Sequence, residues 1–232
     1  MDCFSSKIGI IGGAGPTAGS LLFEKIIQIC QTNYGCTRDA DFPYVLLLSY
    51  PFTDMLTEQK NEQVIKNELE SCFTSFLDAN ISIAAIACNT LHAFLPTIPT
   101  SINFVHMIKE TEIFLSKDPF WENPLILCTS TSAQTKIHAN FFPCRYPNPS
   151  LQKELDKMID RITLGTNLHN ESNLLNQLLL DNEPIILGCT ELSLLNERAP
   201  LKTKFLCDPN TLVAKKICRV IYPELQPELQ RA

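Results

Sequence analysis

Two cysteines stand in matching settings: Cys88 in ISIAAIACNTLH (81–92) and Cys189 in EPIILGCTELSL (183–194). Each ends an apolar run that reads as a buried strand and is followed by polar residues able to open a helix. A thiol at a helix N-terminus meets free backbone N–H groups, and these favour its thiolate. One such thiol suits a nucleophile. Two, in matching halves, suit paired acid/base groups on opposite faces of one carbon, one removing a proton and the other returning one. Taken singly, each would be an ordinary buried cysteine. His92 lies four residues after Cys88, on the same face of a helix that starts there. No second pair of metal ligands has suitable spacing, so a hydrogen-bonding or packing role is expected for it. His106, His138 and His169 stand alone and suggest nothing.

Further positions surround these two. GGAGPTAG (12–19) follows the first apolar run. Its glycines permit a tight turn, and Pro16 suits the first turn of a helix whose N–H groups would face an anion. The window GAGPTA also fits a dinucleotide-binding pattern, with Asp39 or Asp41 at roughly the right distance. CTSTS (128–132) ends another strand in hydroxyls, which either cap a helix or hold a carboxylate at the mouth of a parallel sheet. Asn89, Thr90, Thr190 and Glu191 carry the same two readings. The run ELE (68–70) is a solvated helix face.

Composition sets the class. The chain has 232 residues, 45% of them hydrophobic and 19% charged, with a net charge of −6. A substantial core is expected, and an acidic, unsegregated chain argues against nucleic acid or an anionic membrane as partner. The first residues, MDCFSSKIGIIGG, lack a basic segment followed by an apolar signal core. None of the ten cysteines forms a CxxC pair, which weakens zinc-ribbon, thioredoxin-like and haem readings. A cytoplasmic protein of a reducing compartment is expected.

Strand-like and helix-like runs must position these groups. Strands are read at 7–12, 43–50, 81–87, 102–107, 124–130, 184–188 and 203–207, with helices between them. The strands are continuous apolar runs, so burial on both faces and parallel pairing are expected. The predicted fold is α/β: two similar lobes, each a mostly parallel sheet flanked by helices, with the active site between them. Residues 1–105 with 206–232 form the first lobe and 106–205 the second, the last helix returning to the first.

At these residues the chain resembles the aspartate/glutamate racemase family, in its aspartate racemase branch. The resemblance rests on GGAGP, ACNTLHAF, LCTSTS, LGCTELS and CDP (207–209), in order along nearly the whole chain. It implies a racemase that needs no cofactor, with Cys88 and Cys189 as its two bases, and a homodimer. It also implies that Asn89, Thr90, Ser130, Ser132 and Thr190 line the substrate site; Gly13, Ala14 and Ser49 complete the candidate set. The substrate would be a small amino acid or other carboxylate. Two positions depart from the family pattern: Met55 stands where an arginine is expected, and Thr163 where a lysine is. Both departures favour a less acidic substrate, with Lys60 or backbone N–H groups as possible replacements. There are three rival readings: an isomerase or decarboxylase of a small diacid on the same scaffold, a non-catalytic binding protein for a small carboxylate, and a nucleotide-dependent oxidoreductase built on GAGPTA.

Overall fold

Strand and helix alternate along the computed structural model, which describes residues 6–53, 61–179 and 182–223. In chain order the elements are β1 (Lys7–Gly12), α1 (Pro16–Tyr34), β2 (Tyr44–Ser49), α2 (Glu62–Asp78), β3 (Ile83–Ile86), β4 (Asn103–Val105) and α3 (Met107–Leu115). They continue with β5 (Leu125–Leu127), α4 (Ser130–Thr135), α5 (Pro149–Thr163), α6 (Leu168–Leu178), β6 (Ile185–Leu187), α7 (Thr190–Arg198), β7 (Leu206–Cys207) and α8 (Pro209–Ile221). Among the described residues, no helix is long and apolar enough to cross a membrane.

The chain divides into two compact units. The first comprises residues 1–87, 94–106 and 210–232. Its sheet runs β2-β1-β3-β4, with every pairing parallel. The inner strands are apolar because helices cover them: Ile8, Ile10, Ile11, Ala84, Ala85 and Ile86 are fully buried. β2 departs from the expectation of two buried faces. It is an edge strand, and Tyr44 and Leu47 remain 49% and 37% exposed. α1 opens at Pro16, whose missing N–H costs nothing in a first turn, and ends at Gly35 in the left-handed conformation. α8 returns to α1 in this unit, with Cys30 and Cys218 Sγ atoms 3.9 Å apart and the Tyr34 and Tyr222 rings stacked at 4.7 Å.

The second unit comprises residues 88–93 and 107–209. Its sheet is β5-β6-β7, again parallel throughout. Leu155, Met158, Leu175, Leu187, Leu192 and Leu195 fill its core. Two segments lie elsewhere than the sequence reading gave them. Leu206–Cys207 pairs with Ile185–Ile186. Cys88–Ala93 belongs to this unit because Asn89 and Thr90 bond to residues around α4.

Candidate active site

Cys88 follows β3. The Ala87 N–H still donates to Ile11 O (2.8 Å), and then the backbone turns into a 3-10 helix, Thr90–Phe94. His92 fixes that turn. Met107 N–H donates to His92 Nε2 (3.3 Å), so the neutral ring carries its proton on Nδ1 and donates to Cys88 O at 2.8 Å. Backbone groups thus engage both ring nitrogens, the hydrogen-bonding role expected of His92. N–H groups of Leu91 and Thr90, with the Thr90 hydroxyl, point at the Cys88 thiol and lower its pKa. Burial works the other way and prevails, pushing it up to about 12.

Cys189 is the N-cap of α7. Its thiol donates to Glu191 Oε2 at 2.9 Å, and the Thr190 hydroxyl donates to the same oxygen at 3.4 Å. Burial raises the Cys189 thiol well above its ordinary range; the charge of Glu191 and the hydrogen bond to it raise it further. Charge on Cys88 adds to the effect. Glu191 also raises Cys88. The thiolate expected at each strand end is therefore not the resting form of either. Backbone N–H groups do reach the sulfurs, but removal from water outweighs them.

A hydroxyl cluster adjoins Cys88. Thr90 Oγ1 lies 3.0 Å from Ser132 Oγ and 3.3 Å from Thr129 Oγ1. Thr129 caps α4, accepting from Ser132 N–H. Ser130, on the same turn, directs its N–H to Asp156 Oδ1 at 3.0 Å. Asn89 is buried and meets the ring of His138, with Nε2 3.3 Å from Asn89 Oδ1. Gly188 makes room for that ring: a Cβ there would stand 3.3 Å from His138 Cε1 and 2.5 Å from Ile126 Cγ2.

Cys88, Asn89, Thr90, Ser130, Ser132, Cys189 and Thr190 thus belong to one unit. Gly13, Ala14 and Ser49 belong to the other. Gly13 turns with φ 104°, where a side chain would collide with the Tyr50 carbonyl. Ser49 ends β2 opposite Gly12 and is exposed. Asp41, a candidate for the dinucleotide pattern, lies before β2 and is bound to Arg38 and to the N–H groups of Thr37 and Arg38, which hold its carboxyl down at about 2. Thr163 donates to Ile159 O at the exposed end of α5. Met55 and Lys60 lie outside the described residues. Sequence reasoning missed His138, which no motif marks. It left Glu191 ambiguous, although its place two residues after Cys189 was visible.

No protein-family model matches the chain. In sequence, 106 residues are 27% identical to a broad-specificity amino-acid racemase of Bacillus subtilis, covering 45% of this chain and 47% of that protein. The match therefore spans about half the length of that relative. In structure, the chain superposes on Picrophilus torridus aspartate racemase with TM-score 0.75 at 21% identity, over 94% of each chain. Glutamate racemase from Thermus thermophilus, solved in complex with beta-chloro-D-alanine, gives TM-score 0.59 at 14% identity, over 98% of this chain and 85% of that one.

Proposed function

Because the chain has the fold of aspartate and glutamate racemases, and matches an amino-acid racemase in sequence, we propose that it is a cofactor-independent amino-acid racemase working through Cys88 and Cys189. One observation carries the reading: two buried thiols, each at a strand-to-helix turn, are both raised by burial and by one carboxylate, Glu191, and charge on Cys88 raises Cys189 as well.

The surroundings support unequal resting roles. Cys88 faces N–H donors, which stabilise negative charge on its sulfur, so it is the base that takes the Cα proton first. Cys189 donates to Glu191, which keeps it protonated, so it is the acid that delivers a proton to the opposite face. Reaction in the other direction exchanges the roles. A thiol pushed up by burial needs an incoming cation, and the ammonium group of an amino acid supplies one. The Cα carbanion is stabilised by preorganised N–H and hydroxyl donors around the carboxylate; Thr90, Ser132 and Thr190 are the candidates.

Thr163 and Met55, standing where cations would help to hold a second carboxylate, favour a small amino acid less acidic than aspartate. A homodimer belongs to the same reading, supported by exposed Phe23, Tyr44 and Leu47 in the first unit, and sedimentation would measure it. A reducing cytoplasm suits an enzyme that works through free thiols.

The test is a screen of single amino-acid enantiomers in heavy water, read by NMR for Cα deuterium and by chiral chromatography for the mirror image. At least one amino acid should gain deuterium and racemise together. If none exchanges, the racemase reading fails. The upward push on both thiols favours one second reading, a non-catalytic carboxylate-binding protein, which would bind an amino acid in the same screen and leave its Cα proton in place.

A further inference from the structure

We propose that His138 is a positioning residue: it holds the Asn89 amide oxygen, so that Asn89 Nδ2 is presented to the carboxylate of the amino acid beside Cys88. The inference rests on the racemase reading and deepens it.

Four observations carry it. His138 is 1% exposed and Asn89 2%. Their link, His138 Nε2 to Asn89 Oδ1, is 3.3 Å long. Asn89 Nδ2 and His138 Nδ1 are both buried without a hydrogen-bond partner. Asn89 directly follows Cys88 in the chain, at the same strand-to-helix turn.

The chemistry then narrows. An amide oxygen only accepts, so the proton of the ring must be on Nε2. Burial lowers the His138 pKa to about 4, which leaves the ring neutral near pH 7 with this single donor. Nδ1 is then a bare acceptor and has no proton to present. On the amide side, the oxygen is occupied and the two N–H donors of Nδ2 are left. A buried donor left unmatched is destabilising. An incoming acceptor removes that cost, and a carboxylate offers only acceptors. The ring itself is fixed by the Phe142 and Tyr146 rings, each 6.3 Å away between centroids, and by the space Gly188 leaves.

The experiment uses the whole chain labelled with 15N, with acetate as a monocarboxylate probe. In the unmodified protein, imidazole 15N shifts should report His138 protonated on Nε2, and the Asn89 side-chain NH2 signals should move and saturate with acetate. His138→Gln keeps an N–H donor near the same place and should bind acetate within about threefold of the original. His138→Met removes the donor and should weaken acetate binding about tenfold. For an amino acid found in the screen, His138→Met should raise KM about tenfold with little change in kcat, the mark of lost carboxylate binding. A proton on Nδ1, Asn89 signals indifferent to acetate, or acetate affinity and KM unchanged in His138→Met would each overturn the proposal. Should His138→Met not fold, the tautomer, the Asn89 response and His138→Gln still decide it. Absence of Cα exchange in the unmodified protein would instead fault the racemase reading, and the acetate titration would still judge His138.

Discussion

Replacing either thiol tests the division of labour. Cys88→Ala and Cys189→Ala should each abolish racemisation in both directions, by about a thousandfold or more, because each direction needs one base and one acid. Deuterium wash-in from one enantiomer should survive in Cys189→Ala, where the first base remains. Full racemisation by Cys189→Ala would reduce that residue to packing. Glu191→Gln tests the shared carboxylate. It removes a charge that raises both thiols, so both should alkylate faster with iodoacetamide at a fixed pH, by about tenfold for each pKa unit recovered. Equal rates in the two proteins would free the thiols from Glu191. His138 also makes a prediction about stability. Its folded pKa of about 4 lies below the ordinary 6.5, so the unfolded chain binds a proton that the native one refuses. Stability should therefore fall as pH drops from about 6.5 to 4, by up to about 3 kcal/mol, and urea unfolding of the His138→Gln protein should lack that loss. The two cysteines were legible because a strand, a cysteine and a helix start are neighbours in sequence. His138 was not, because its partner Asn89 lies on a distant segment. The direction of the thiol shifts was illegible for a related reason: helix N–H groups are local, whereas desolvation depends on everything packed around them.

At the scale of elements, the joint between β6 and α7 is tightly packed. A methyl group at position 188 meets Ile126, Cys128 and the His138 ring. Gly188→Ala should cost about 1–3 kcal/mol by overpacking, measurable as a lower urea midpoint. It should also weaken acetate binding as His138→Met does, since the ring must move. An unchanged midpoint would mean that the neighbours yield easily. The parallel pairing of strands could be read from continuous apolar runs, but not their lengths. β7 keeps two paired residues and β4 three, because pairing needs a neighbour as well as an apolar run. β2 reads like the inner strands and is an edge, which depends on the order of strands in space rather than on its own residues.

At the scale of the whole molecule, the two units do not follow one another along the chain. The first takes its strands from the N-terminal half and its last helix from beyond residue 209; the second is complete at Pro209. The return of α8 could be expected from the apolar pattern near 210–221, whereas the passage of Cys88–Ala93 into the second unit could not, since it is side-chain bonding from Asn89 and Thr90 that takes them there. The contact of Cys30 with Cys218 gives this arrangement a consequence in time. A ribosome delivers the whole second unit before it delivers the helix that closes the first. The nascent chain therefore passes through a stage in which its later half is finished and its earlier half still open, with Cys30 uncovered on α1. In ribosome-bound chains halted soon after Pro209 emerges, a thiol-directed label should mark Cys30, and in chains that expose α8 the same site should fall silent.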